Sequence, residues 1–168
     1  LEILENIAGE ESLSSRVGLA LIENIKGYNE GMWWVQDFST MMPIHLLNNL
    51  KNKKIADLCA APGGKSFQLI TKGAIVTSFE KNHKRAHLMK KNFQRLKFNS
   101  NIVVEDVMKI DNQQKFDAII LDAPCSSIGT IRRHPEIFFR DKSPNFKNII
   151  FLQNSLLNKA KKLLKKNG

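Results

Sequence analysis

Between Lys54 and Leu121 short β-branched apolar runs alternate with longer segments of helical periodicity, and this narrows the fold more than any other feature. The runs are Ile55–Cys59, Ala74–Phe79, Ile102–Val104 and Phe116–Leu121. After the first comes a helix-like SFQLITK. After the second, residues 82–97 place Ala86, Met89, Phe93 and Leu96 at i, i+3, i+7 and i+10, on one helical face. Short strands with little polar alternation, separated by amphipathic helices, predict a doubly wound, Rossmann-like α/β sheet with parallel strands and helices on both faces. Ligands of such sheets bind beyond the carboxyl ends of the strands, near the point where strand order reverses. The unusual residues of this chain collect there: DLCAAPGGKS follows the first run, and Glu80, Asp106 and Asp122 follow the other three.

The flanks are less regular. Residues 1–30 read as a lead-in, with a strand expected at Val17–Ile22 and a turn at Gly27–Gly31, and residues 31–168 as one domain. WWVQDFSTMMPIHLLNNL predicts a short strand or turn and then a helix capped by Asp37 or Ser39. A last helix is expected to begin at Ser143-Pro144 and to stop at Asn167-Gly168, with Ile149, Leu152, Leu156, Ala160, Leu163 and Leu164 along it. No run of eighteen apolar residues occurs, so a membrane partner is not expected. Only Cys59 and Cys125 are present, which argues against a disulfide framework and for a reducing cytoplasm. The first residue is Leu1, and a fragment of a longer protein is the expectation.

Charge divides the chain. Residues 1–30 hold six acids and two bases, net −4, so the rest carries +14 of the overall +10. Such a field concentrates polyanions, and Lys and Arg contacts to phosphate release counterions. The same lysines could equally be solvated surface residues.

In DLCAAPGGKS, a glycine pair after a strand allows a tight turn and close approach of a ligand to the backbone, with helix N–H groups beyond it. A carboxylate at the end of the second strand is well placed for ribose hydroxyls, and Glu80 lies 23 residues after Asp57. The loop has neither G-x-G-x-x-G nor a complete phosphate-binding G-x-x-x-x-G-K-[ST]. Acidic strand ends without a phosphate cradle favour a nucleoside that lacks phosphates or carries a positive centre. The plainer reading is a structural Gly-Gly turn.

LDAPCSSIGTIRRHPEIFFR sets Asp122, Pro124 and Cys125 just past the fourth run, followed by Arg132, Arg133 and His134. A cysteine at a strand end near basic residues can serve as nucleophile or acid/base. The alternatives are a buried small hydrophobe for Cys125, surface ion pairs for Arg132 and Arg133, and a helix cap for His134.

These two motifs, with GMWWVQDFSTM ahead of them, resemble the Sun (Fmu) family of RNA cytosine-5 methyltransferases across roughly residues 25–168. The resemblance implies a Rossmann-like methyltransferase sheet and S-adenosyl-L-methionine as cofactor. It places Cys59, Ala60, Ala61, Pro62, Gly63, Gly64 and Lys65 in the cofactor loop. Glu80 would stand on the ribose where relatives often have Asp, Asp106 near the adenine and Asp122 beside the methionine moiety. It implies an RNA partner, small-subunit rRNA first; the basic cluster Arg132, Arg133 and His134 is expected to border the base pocket. The family uses a Thr-Cys cysteine as covalent nucleophile and the Pro-Cys cysteine, here Cys125, for product release. No Thr-Cys pair occurs in this sequence, so the expectation is a domain incomplete at its C-terminus that binds cofactor without completing the reaction alone. A monomer with no metal is expected. Two alternatives stand beside this reading: a DNA cytosine-5 methyltransferase attacking through Cys125, and a non-catalytic RNA-binding module.

Overall fold

The computed structural model describes residues 22–131, 134–139 and 143–168. Its centre is a parallel four-stranded sheet of β1 (Lys54–Leu58), β2 (Ile75–Phe79), β3 (Asn101–Val103) and β4 (Ala118–Leu121), in the order β3-β2-β1-β4. The chain runs outward from β1 through β2 to β3 and then returns to lay β4 on the other side of β1. Strand order therefore reverses at the carboxyl ends of β1 and β4, where ligand crevices form in open α/β sheets. The doubly wound expectation holds.

The pleat of β1 sorts its side chains. Ala56 and Leu58 face a core completed by Phe79, Val107, Phe116 and residues of α4 (Phe146–Leu163). Ile55 faces the opposite core with Ile44 of α1 (Phe38–His45) and Leu69 of α2 (Gly64–Thr71). Asp57 follows Ile55 on that second face, so its carboxylate meets α2 rather than water. A third cluster packs α3 (His83–Arg95) under the loop after β1, and its residues include all four of the periodic positions but Ala86: Met89, Phe93 and Leu96, beside Phe67. Ala86 is buried as well, at 1% exposed. Burial of Met89, Phe93 and Leu96 contributes about 1.5–3 kcal/mol each. Asn82 caps α3 by accepting from the Arg85 N–H at 3.1 Å, and Asp37 caps α1 by accepting from the Ser39 N–H at 2.9 Å.

Two boundaries differ from the expectation. The cap of α4 is Asn145, whose side chain accepts from the Asn148 N–H at 3.0 Å, so Ser143-Pro144 precedes the helix instead of starting it. The helix ends at Leu163, not at Asn167. Leu164 turns extended and pairs in parallel with Phe116, whose N–H donates to Leu163 O and whose carbonyl accepts from the Lys165 N–H. Backbone groups beside the sheet edge capture the chain there, a tertiary effect that helical periodicity does not contain. The expected strand Val17–Ile22 lies outside the described residues except for Ile22, which opens a 3-10 turn, Ile22–Asn24. The turn at Gly27–Gly31 is present, and a Cβ on Gly31 would sit 1.9 Å from Arg95 O.

Candidate functional site

The loop between β1 and α2 is held from several sides. Cys59 adopts φ 63°, the Ala61–Pro62 peptide is cis, and Gly63 at φ 112° is the N-cap of α2. A Cβ on Gly63 would also meet the Phe67 ring 2.6 Å away, so glycine is required there for conformation and for space. The Ala60 N–H donates to Phe79 O at 3.0 Å, tying the loop to the end of β2. From α3, Arg85 donates to Ala61 O and Asn92 to Pro62 O. Ala60 and Ala61 are buried, and Cys59 is partly so. Burial, and secondarily the Glu80 carboxylate, push the Cys59 thiol up to about 11. A thiol raised that far is mostly protonated near neutral pH and makes a poor nucleophile.

Two carboxylates are buried beside this loop. Glu80, 3% exposed at the end of β2, accepts from the Asn82 N–H through Oε1 at 2.9 Å. Its Oε2 lies 3.5 Å from Arg85 Nη1, an ion-pair distance, yet has no hydrogen-bond partner among the described residues. Asp57, 1% exposed, accepts from Ser66 Oγ through Oδ2 at 2.6 Å, and Ser66 Oγ lies 2.8 Å from Ser78 Oγ. Its Oδ1 is likewise buried without a partner. Desolvation raises the Asp57 carboxyl to about 6, with Ser66 and Lys65 opposing the rise and Asp122 adding to it. Buried polar atoms are nearly always satisfied; here Asp57 Oδ1 and Arg95 Nε lack a hydrogen-bond partner among the described residues, and Glu80 Oε2 has only the Arg85 charge beside it.

The loop separates two hollows. A cavity of about 780 Å³ is lined by Asp57, the loop from Cys59 to Lys65 apart from Gly63, Trp34, Gln36, Asn92, Arg95 and Asp122, among others. A slot of about 50 Å³ is lined on the far side by Cys59, Lys81, Asp106, Val107, Met108 and Pro124, over Phe79, Leu152 and Leu156. Asp106 caps the 3-10 turn Val107–Lys109 through the Met108 N–H, and Lys81 Nζ stands 3.9 Å away. Lys65 Nζ is 2.7 Å from Asp122 Oδ2 across the mouth of the larger cavity.

Sequence reasoning thus brought the loop, Glu80, Asp106 and Asp122 to one end of the sheet. Cys125 is exposed just beyond β4, lines neither hollow, and its sulfur accepts from the Ser127 N–H at 3.3 Å. Pro124 is anchored to α4 by Gln153 Nε2 at 3.0 Å. His134 is exposed with Nδ1 2.9 Å from Glu136 Oε1. Arg132 and Arg133 lie outside the described residues. Asp57, Asn92 and Arg95 were missed as lining residues. Arg95 donates to Tyr28 O and Trp33 O and stacks 3.8 Å over the Tyr28 ring, so it folds the Gly27–Trp34 turn onto α3. The exposed face of α3 and its flanks is basic: Lys84, Lys90, Lys91 and Lys97 form no ion pair among the described residues, and residues 81–104 contain no acid.

A family model described as 16S rRNA methyltransferase RsmB/F matches residues 44–168. Among curated proteins, ribosomal RNA small subunit methyltransferase B of Photorhabdus laumondii is 34% identical over 149 residues, covering 86% of this chain. Its counterpart in Proteus mirabilis is 35% identical over the same share. The chain spans 35% of the length of each. Among solved structures, NSun6 from Pyrococcus horikoshii with SFG aligns at TM-score 0.78 and 26% identity, over 89% of this chain and 40% of that one. A methyltransferase homologue from the same organism aligns at TM-score 0.70 and 28% identity, over 89% and 48%.

Proposed function

This chain belongs to the 16S rRNA methyltransferase RsmB/F family, and from that premise we propose that it supplies the cofactor-binding part of an enzyme that methylates carbon 5 of a cytosine in RNA, small-subunit rRNA being the substrate. The observation that carries the reading is the buried Glu80 carboxylate beside the glycine loop, whose Oε2 stands 3.5 Å from Arg85 Nη1 and receives no hydrogen bond among the described residues. A ribose hydroxyl donates where that oxygen lacks a donor. S-Adenosyl-L-methionine supplies an electrophilic methyl group on a sulfonium. The backbone of Cys59–Lys65 would cradle it, with Glu80 on the ribose, Asp106 at the adenine and Asp122 beside the methionine moiety. The slot by Asp106 has an apolar floor of Phe79, Leu152 and Leu156.

Carbon 5 of cytosine is a weak nucleophile. A cysteine thiolate that bonds to carbon 6 makes carbon 5 enamine-like; once carbon 5 carries the methyl group, loss of its proton breaks the carbon–sulfur bond and frees the enzyme. No Thr-Cys pair occurs among these 168 residues, and the family resemblance assigns the Pro-Cys cysteine, here Cys125, to product release. An exposed thiol at the end of β4, held by the Ser127 N–H, suits a group that meets the base only when RNA is seated. A target base must be single-stranded or flipped to reach it. The acid-free stretch around α3, with Arg132, Arg133 and His134, offers the cations that would hold the RNA backbone.

The test uses the full-length protein with 16S rRNA. Mass spectrometry of the product nucleosides should show cofactor-dependent 5-methylcytosine, and Cys125→Ala should accumulate a protein–RNA adduct. Methylation at another atom, or normal turnover in Cys125→Ala, would refute the assignment.

A further inference from the structure

Two neighbouring phenylalanines stand in water beyond β4. Phe138 is 73% and Phe139 85% exposed, at the end of the 3-10 turn Pro135–Phe139. With three residues per turn, successive side chains point about 120° apart, so one side of such a turn faces the protein. Ile137 takes that side and is partly buried, which leaves both rings outside. Single exposed apolar residues are ordinary, whereas a group of them marks a binding surface. Phe146, Ile150 and Phe151 of α4 are exposed as well. The same stretch is basic: residues 128–151 carry Arg132, Arg133, Arg140, Lys142 and Lys147 against Glu136 and Asp141, net +3. Flat apolar rings among cations suit single-stranded nucleic acid, whose bases stack and whose phosphates are anionic. The stretch also begins and ends beside the Pro-Cys pair. It leaves the sheet through Cys125 and returns as α4, whose Gln153 donates to Pro124 O at 3.0 Å.

We propose that Phe138 and Phe139 stack on unpaired RNA bases flanking the target cytosine. This role rests on the RNA substrate proposed above. A base that swings out to reach an enzyme deprives its neighbours of a stacking partner. Aromatic rings beside the reacting cysteine replace that partner without reading sequence, since every base has a flat face. Because the two rings diverge around the turn, they act as separate platforms and not as a clamp on one base.

Fluorescence anisotropy on the full-length protein tests this with two labelled single-stranded RNAs: one with a central cytosine, and one with abasic nucleotides on both sides of that cytosine. Loss of the flanking bases should weaken wild-type binding by about tenfold or more. Phe138→Ala/Phe139→Ala should bind the two RNAs within about twofold of each other. Its affinity should keep the wild-type salt dependence, because no phosphate contact is removed. Phe138→Tyr/Phe139→Tyr keeps both rings and should discriminate as wild type does. Equal wild-type affinities for the two RNAs, or undiminished discrimination in the double-alanine variant, would overturn the proposal. A double-alanine variant that is less stable yet binds both RNAs as wild type does would show that another part of the polypeptide covers the rings, and would overturn it too. Failure of the wild type to bind either RNA would remove the RNA substrate itself, a different result from loss of discrimination alone.

Discussion

The two sides of the switch point are built differently. On the β1–β2 side every candidate group is buried or pinned: Glu80 and Asp57 are almost inaccessible, and the loop is held by β2, Arg85 and Asn92. On the β4 side, Asp122 is 62% exposed and Cys125 open to solvent, with one backbone N–H on its sulfur. A small ligand that must be held in one pose calls for rigid, desolvated donors and acceptors before it arrives. A group that acts on a large polymer must be reached from outside. On the proposed function, the buried side would hold most of the cofactor, Asp122 would meet it from the exposed side, and Cys125 would meet the substrate.

Glycine substitutions should expose that difference most strongly. Gly63→Ala combines a left-handed backbone with a 2.6 Å clash against the Phe67 ring, so a loss of about 2–4 kcal/mol in urea unfolding is expected. Gly129→Ala, beyond β4, meets nothing within 4 Å and should change stability by less than about 0.5 kcal/mol. Equal effects at the two sites would break the comparison.

The next effect is set by pH. Burial raises the Asp57 carboxyl from 3.8 to about 6. Between those values the folded chain holds a proton that the unfolded chain has lost, so this group's contribution to stability declines as pH rises through the window. The cost is complete above pH 6 and amounts to at most about 3 kcal/mol. Lys65, Asp122, Ser66 and Ser78 surround the carboxylate and should be left intact in the test. Unfolding of ligand-free wild type and Asp57→Asn, compared at pH 4.5 and 7.5, should show the variant gaining at the higher pH. A variant that gained nothing there would show that the buried charge is already compensated.

The smallest effect belongs to the Lys65–Asp122 pair. With Asp122 largely exposed, Asp122→Asn should cost under about 1 kcal/mol of stability, and less in high salt.

Much of this architecture was legible beforehand, for identifiable reasons. The face of α3 was readable because Ala86, Met89, Phe93 and Leu96 bury through local periodicity alone. The loop was readable because Pro62, Gly63 and Gly64 are residues only a special backbone requires. Asp57 was not: a carboxylate at the end of a strand gives no sign of whether it faces water or a helix, and only α2 packing on that face puts Ser66 against it. Asn92 and Arg95 were hidden for a similar reason, since the Gly27–Trp34 turn must fold back on α3 before either borders a cavity. The end of α4 depended on Phe116, almost fifty residues earlier in the chain.

The claim that the cofactor is held from the β1–β2 side is tested most directly by calorimetric titration with S-adenosylmethionine of wild type, Glu80→Gln and Cys125→Ala. Glu80→Gln should weaken binding by about tenfold or more, through loss of the charged acceptor, while Cys125→Ala stays within about twofold of wild type. Unchanged affinity in Glu80→Gln, or a comparable loss in Cys125→Ala, would contradict it.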